Sequence, residues 1–173
     1  MREFSVPASY VVKSDDNITD DLFGNEENWS DEVGLKRKAN GTWTPVTWRE
    51  FARHVRGIAA GFIAVGIQPG DRVALMSHTR FEWTVLDYAI LTAGAITVPV
   101  YPTSSLEQVE WILGDSGAVA AVVEADDHAE KVASGLGHFF RGCGINVLEG
   151  YGAERQDSVV VAFVAVGDKI SGQ

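Results

Sequence analysis

Apolar residues recur along this chain in two periods. Trp48, Phe51, Val55, Ile58, Ala59 and Phe62 return at helical spacing, which predicts an amphipathic helix with one apolar face. Thr47, with Glu50 three residues later, predicts a capping box at its start, and Gly66 supplies a stop. Just ahead, "EVGLKRKANGTWTPVTW" predicts a β-hairpin, with Asn40-Gly41 supplying the positive-φ pair of a tight turn.

Beyond Gly66 the pattern alternates. "RVALMS" predicts a short buried strand, and Thr79 with Glu82 a second capping box for a helix over "RFEWTVLDYAILTAG" that ends at Gly94. "AITVPV" is the next strand. Ser104 with Glu107 opens a helix over "SSLEQVEWILGDSG", "AVAAVVE" is a strand, and "DDHAEKVASGLG" is a polar-faced helix. Near-continuous apolar strands separated by amphipathic helices predict an α/β fold, a parallel sheet flanked by helices, with a small N-terminal hairpin. The stretch "GLGHFFRGCG" carries no helical stripe, and "INVLEGYG" reads as a further strand and turn. "SVVVAFVAV" is apolar at nearly every position and could serve the sheet as a substitute strand.

The 173 residues suit one domain, and 46% hydrophobic content with 10% aromatics places the chain among globular proteins. A formal charge of −10 and a pI near 4.7 argue against a nucleic-acid partner. Part of that excess is local: Asp15, Asp16, Asp20, Asp21, Glu26, Glu27, Asp31 and Glu32 have no balancing base among them and predict a solvated arm, with a cation site as the alternative. The one cysteine, Cys143, fits a reducing compartment. The N-terminus lacks the apolar core of a signal peptide, and the longest apolar run, Val159 to Val166, is too short to span a bilayer. The expected location is cytoplasmic, with a position peripheral to the membrane left open.

Candidate chemistry is sparse. The glycine pairs Gly135/Gly137, Gly142/Gly144 and Gly150/Gly152 extend neither to a dinucleotide fingerprint nor to a phosphate-binding loop, and they read as stops and turns. His54, His78, His128 and His138 have no metal-ligand spacing, and His54 reads as solvated. His138 near Cys143 leaves a Cys/His pair conceivable, although a small core cysteine is the simpler reading. Trp83, Tyr88, Tyr101 and Trp111 read as core before they read as the lining of a pocket for an apolar ligand. In "PVYPTSS", Pro99 and Pro102 stiffen an aromatic segment after a strand, where parallel sheets bind ligands.

The run Gly66 to Glu124, with "VTWREF", "GDRV", "LTAGAITVPVYPTSS" and "WILGDSGA" in order, resembles the N-terminal region of adenylate-forming enzymes, specifically the long-chain fatty acid–CoA ligases of actinobacteria. "HFFRGCGINVLEGYG" resembles a second block that in the family lies much further along, just before its "YG-x-TE" motif. The resemblance implies an incomplete AMP-binding-type subdomain. In full-length relatives ATP, with Mg2+, activates a long-chain fatty acid to an acyl-adenylate, and coenzyme A then receives the acyl group. Tyr151 and Gly152 match the motif and map onto the adenine-side wall, whereas Ala153-Glu154-Arg155 replace the residues tied to phosphate and magnesium. The Ser/Thr/Gly-rich phosphate loop expected between the blocks is absent, as are the ribose-holding aspartate, the hinge and the C-terminal catalytic lysine. The resemblance therefore implies no catalytic residue and no metal ligand here.

The expected layout is an arm over 1–30, an incomplete α/β subdomain over 31–137, a displaced segment over 138–152, and an unrelated tail over 153–173. An internal deletion joining the blocks at Gly137, with a frame change after Gly152, accounts for this order. Three readings follow: retained ligase activity, a non-catalytic domain binding an acyl chain, a nucleotide or an intact ligase, and a remnant that self-associates through exposed sheet edges.

Overall fold

A computed structural model describes residues 5–7, 11–14, 16–39, 41–139 and 164–165. An antiparallel hairpin pairs β1 (Val33–Ala39) with β2 (Thr42–Thr47), and Gly41 at its turn has φ +78°. Helix α2 (Trp48–Ala64) follows with the expected capping box, in which the Glu50 amide donates to Thr47 Oγ1 at 3.2 Å and the Thr47 amide to Glu50 Oε2 at 2.9 Å. Strands β3 (Arg72–Met76), β4 (Ile96–Val100) and β5 (Ala120–Val123) form the parallel sheet, and they alternate with α3 (Phe81–Thr92), α4 (Leu106–Ser116) and α5 (Asp126–Phe139).

The order across the sheet is β4-β3-β5-β6, where β6 (Val164–Ala165) pairs antiparallel with β5. Two residues of the apolar tail thus do add a strand. Side-chain alternation divides the core in two. Val73, Leu75, Ala120 and Val122 face α2 and α3, while Ala74, Met76, Ala121 and Val123 face α4 and α5. Because both faces are covered, β3 and β5 carry no polar alternation, which is why their runs read as continuously apolar. Arg72 ties the sheet to the end of α4, donating to the Ser116 and Gly117 carbonyls at 2.8 and 3.0 Å, where a cation also complements the helix dipole.

Four expectations need correction. The acidic stretch near the N-terminus is not simply solvated: Ile18–Trp29 form α1, capped by Asn17 with Asp20, and Leu22 enters the core. Its balancing bases come from α2. Arg56 pairs with Glu26 and lies over the Phe23 ring at 4.5 Å, and Arg49 reaches Asp31 at 3.0 Å.

Thr79 does not cap α3. Arg80 occupies that position without a side-chain cap bond, because Glu82 is drawn to Arg80 at 2.6 Å and to Arg37 at 3.2 Å. Charge-assisted bonds of that kind are stronger than a neutral cap. Helix α4 is capped by Ser105 with Gln108, one place later than Ser104 with Glu107, because the Ser104 amide is held by the Tyr101 carbonyl at 3.0 Å. Finally, α5 runs through Gly135 and Gly137 to Phe139, past the expected helix end.

Gly34 sits where the hairpin register shifts between Val33 and Leu35. A Cβ there would lie 2.6–2.9 Å from the Trp48 ring. Gly34→Ala should therefore cost about 2 kcal/mol by overpacking. Urea denaturation would read it, and an unchanged midpoint would show that the Trp48 ring gives way freely.

Candidate functional site

Open parallel sheets hold ligands outside the carboxyl ends of their strands, where successive connections leave in opposite directions. Here β3 leads to β4 through α3 on one face, and β4 crosses back over β3 to β5 through α4 on the other. The crevice between the ends of β3 and β5 is the switch point. Met76 and Val123 are register partners there, so the next residues, Ser77 and Glu124, arrive at the same level.

Glu124 organises the crevice. Its Oε2 accepts from Ser77 Oγ at 2.9 Å and from the His78 amide at 2.7 Å, and lies 3.0 Å from His78 Nδ1. Its Oε1 accepts from Arg80 Nη1 at 3.0 Å. Arg80 in turn donates through Nε to Glu82. Burial of the Glu124 carboxyl pushes its pKa up, but the His78 amide, Arg80, Ser77 and the His78 ring together outweigh burial and hold it at about 2. A carboxylate so saturated with donors is a poor general base. What it does is latch the β3–α3 loop onto the end of β5.

The low pKa makes the latch acid-sensitive. A carboxyl whose pKa falls on folding stabilises the protein fully above its ordinary value of 4.5, and that contribution disappears as the pH drops toward about 2. With a side chain only 16% exposed, the expected loss is about 3 kcal/mol. Stability followed by urea midpoints should fall more steeply between pH 5 and pH 2 in the native chain than in Glu124→Gln. Parallel curves would contradict the assignment.

Beside the latch lies a groove of about 490 Å3, reached also by Lys36, Lys38 and Trp43 of the hairpin. Behind it His128 is buried, its ring 5.8 Å from that of His78, and its Nδ1 has no hydrogen-bond partner among the described residues. Among those residues no three His, Cys, Asp or Glu side chains gather as a metal site would require.

The "PVYPTSS" segment also lies at the carboxyl end of the sheet. Lys131 of α5 donates to the Pro102 carbonyl at 3.1 Å and anchors the loop. Tyr101 and Trp111, read as core from the sequence, are 80% and 66% exposed and flank a groove of about 580 Å3 with Ser104, Glu107 and Ile112. Trp83 and Tyr88 do pack on the core. His54, expected to be solvated, is half-buried edge-on to Phe81 at 6.2 Å, and burial, with Arg53 nearby, lowers its pKa. The residues matched to the adenine-side wall, Tyr151 and Gly152, lie outside the described residues, as do Cys143 and "INVL".

Sequence reasoning missed Ser77, Arg80 and Glu124. The available signal was that two apolar strands, "RVALM" and "AAVV", each end in a polar residue at matching height.

Comparison with known proteins supplies the wider frame. Residues 25–149 match the model of the AMP-binding enzyme family. The chain is 50% identical over 133 residues to the long-chain-fatty-acid–CoA ligase FadD15 of Mycobacterium tuberculosis, covering 77% of this chain and 22% of that protein. A solved structure from Rhodopseudomonas palustris, described as a long-chain-fatty-acid CoA ligase, superposes with TM-score 0.60 at 26% identity, over 72% of this chain and 30% of that one. The N-terminal subdomain of Klebsiella oxytoca NpsA shares the fold with TM-score 0.57 at 23% identity, over 64% and 28% of the two chains.

Proposed function

Because this chain belongs to the AMP-binding enzyme family, we propose that it is a partial N-terminal subdomain of the long-chain fatty acid–CoA ligase type that does not activate fatty acids by itself. It spans about a fifth of the length of FadD15. What supports the reading is the resemblance of "HFFRGCGINVLEGYG" to a block that in full-length relatives lies beyond the phosphate loop, so that two family blocks would meet at Gly137.

Those relatives use ATP, Mg2+ and coenzyme A on a long-chain fatty acid. The described residues do not fit that set: no carboxylate cluster suits Mg2+, and Glu124, the carboxylate at the switch point, is fully engaged by Ser77, His78 and Arg80. In-line displacement at phosphorus depends on such clamps, so no step is assigned to the chain. No helix of the described residues is long and apolar enough to cross a membrane. Tyr151 and Gly152 remain the proposed remnant of the adenine-side wall. The test is incubation with palmitate, ATP, Mg2+ and coenzyme A, followed by mass spectrometry. The reading expects no palmitoyl-CoA above a protein-free blank, and turnover by the purified chain would overturn it.

Self-association is part of the proposal. Among the described residues strand β4 is a sheet edge with Ile96 exposed, and Pro99 is its one residue lacking an amide donor. Sedimentation velocity should show a concentration-dependent dimer that Ile96→Lys removes. A monomer at every concentration would exclude edge pairing.

A further inference from the structure

The outer face of α4 combines exposed aromatics with one sign of charge. Trp111 forms a ridge between two grooves, the 580 Å3 one toward Tyr101 and another of about 470 Å3 between Glu110, Gly114 and Asp115. Leu106 adds a third exposed apolar side chain. Glu107, Glu110 and Asp115 border this ridge, and neither groove is lined by a Lys or Arg, the nearby Lys131 being engaged with the Pro102 carbonyl. Glu107 is held in its charged form, its pKa lowered by Ser105, whose hydroxyl donates to it at 2.7 Å.

What sets Trp111 apart from the other exposed tryptophans is that it shares a groove with the exposed Tyr101, and clustered aromatics are favoured anchors of protein interfaces. The acidic border selects the partner. A second copy of this face would bring like charges together, whereas a helix carrying Lys or Arg along the edges of an apolar stripe would satisfy both features.

We propose that the α4 face docks a basic amphipathic helix of a partner protein, its apolar stripe seated over Trp111 and Tyr101 and its cations against Glu107, Glu110 and Asp115. This does not rest on the ligase reading, since it uses only the surface chemistry of one helix and its preceding loop.

The probe is a fluorescein-labelled 14-residue Leu/Lys amphipathic helix, titrated with the full chain by anisotropy beside a Leu/Glu peptide of the same pattern. The Leu/Lys peptide should bind at least about tenfold more tightly than the Leu/Glu peptide, and weaken as salt rises. Trp111→Ala should weaken it about tenfold or more, while Trp43→Ala, which removes a comparably exposed tryptophan elsewhere, should leave it unchanged. Both positions are exposed, so matched thermal melts will show that the fold persists. Equal binding by Trp111→Ala and the native chain would overturn the proposal. So would equal losses at the two tryptophans, equal binding of the two peptides, or a dimer that Trp111→Ala dissociates.

Discussion

Glu124→Ala should destabilise the chain by about 3 kcal/mol, lowering its melting temperature by roughly 10 °C at neutral pH. The substitution removes the acceptor for the His78 amide and one of two acceptors for the Ser77 hydroxyl, the other being the His78 carbonyl, and it leaves the half-buried Arg80 guanidinium paired with Glu82. Breaking one partner of such a network costs more than the network contributes over an apolar replacement, because the stranded donors stay desolvated. Arg80→Ala should cost less, and the double variant less than the sum of the two. That non-additivity, read by a double-mutant cycle on urea midpoints, is the signature of direct coupling. Additive losses would mean that the two side chains act independently and that the latch is not one unit.

Phe51→Ala should cost about 4 kcal/mol, the larger of the two effects. Phe51 is 2% exposed, sits edge-on to Tyr88 at 5.4 Å and tilted to Phe81 at 6.3 Å, and joins α2 to α3. Truncation loses the transfer free energy of the ring and leaves a cavity that two rigid helices cannot close. Since whole domains are stable by only about 5–15 kcal/mol, the variant should unfold at much lower urea. Phe51→Leu should recover more than half of the loss. If Phe51→Ala melts within a degree or two of the native chain, the α2–α3 contact is not part of the cooperative core.

The contrast between these two residues tracks what was legible in the sequence. Phe51 declares itself through helical spacing, and the capping box of Thr47 and Glu50 lies within four residues, so local pattern is enough. The hairpin and the three parallel strands were legible for the same reason. Helix α1 was not, because only Thr19 and Leu22 of its twelve residues are buried and its ion pair to Arg56 spans thirty positions. The caps of α3 and α4 failed where another partner won: the distant Arg37 and the neighbouring Arg80 claimed Glu82, and a local turn at Tyr101 displaced the start of α4. The latch was the hardest to see. Ser77 and Glu124 are forty-seven residues apart and meet only because β3 and β5 are adjacent with β4 on the far side, an order that periodicity does not specify.

The central claim is that the chain keeps the family's N-terminal α/β layer as a folded unit without its adenylation chemistry. ATP–pyrophosphate exchange tests it most directly, run with labelled pyrophosphate, Mg2+ and palmitate on a fraction shown to be folded by a sharp melt, with intact FadD15 as the control. The account predicts palmitate-dependent exchange by the control and none above background by this chain. Palmitate-dependent exchange that co-purifies with the chain would contradict it.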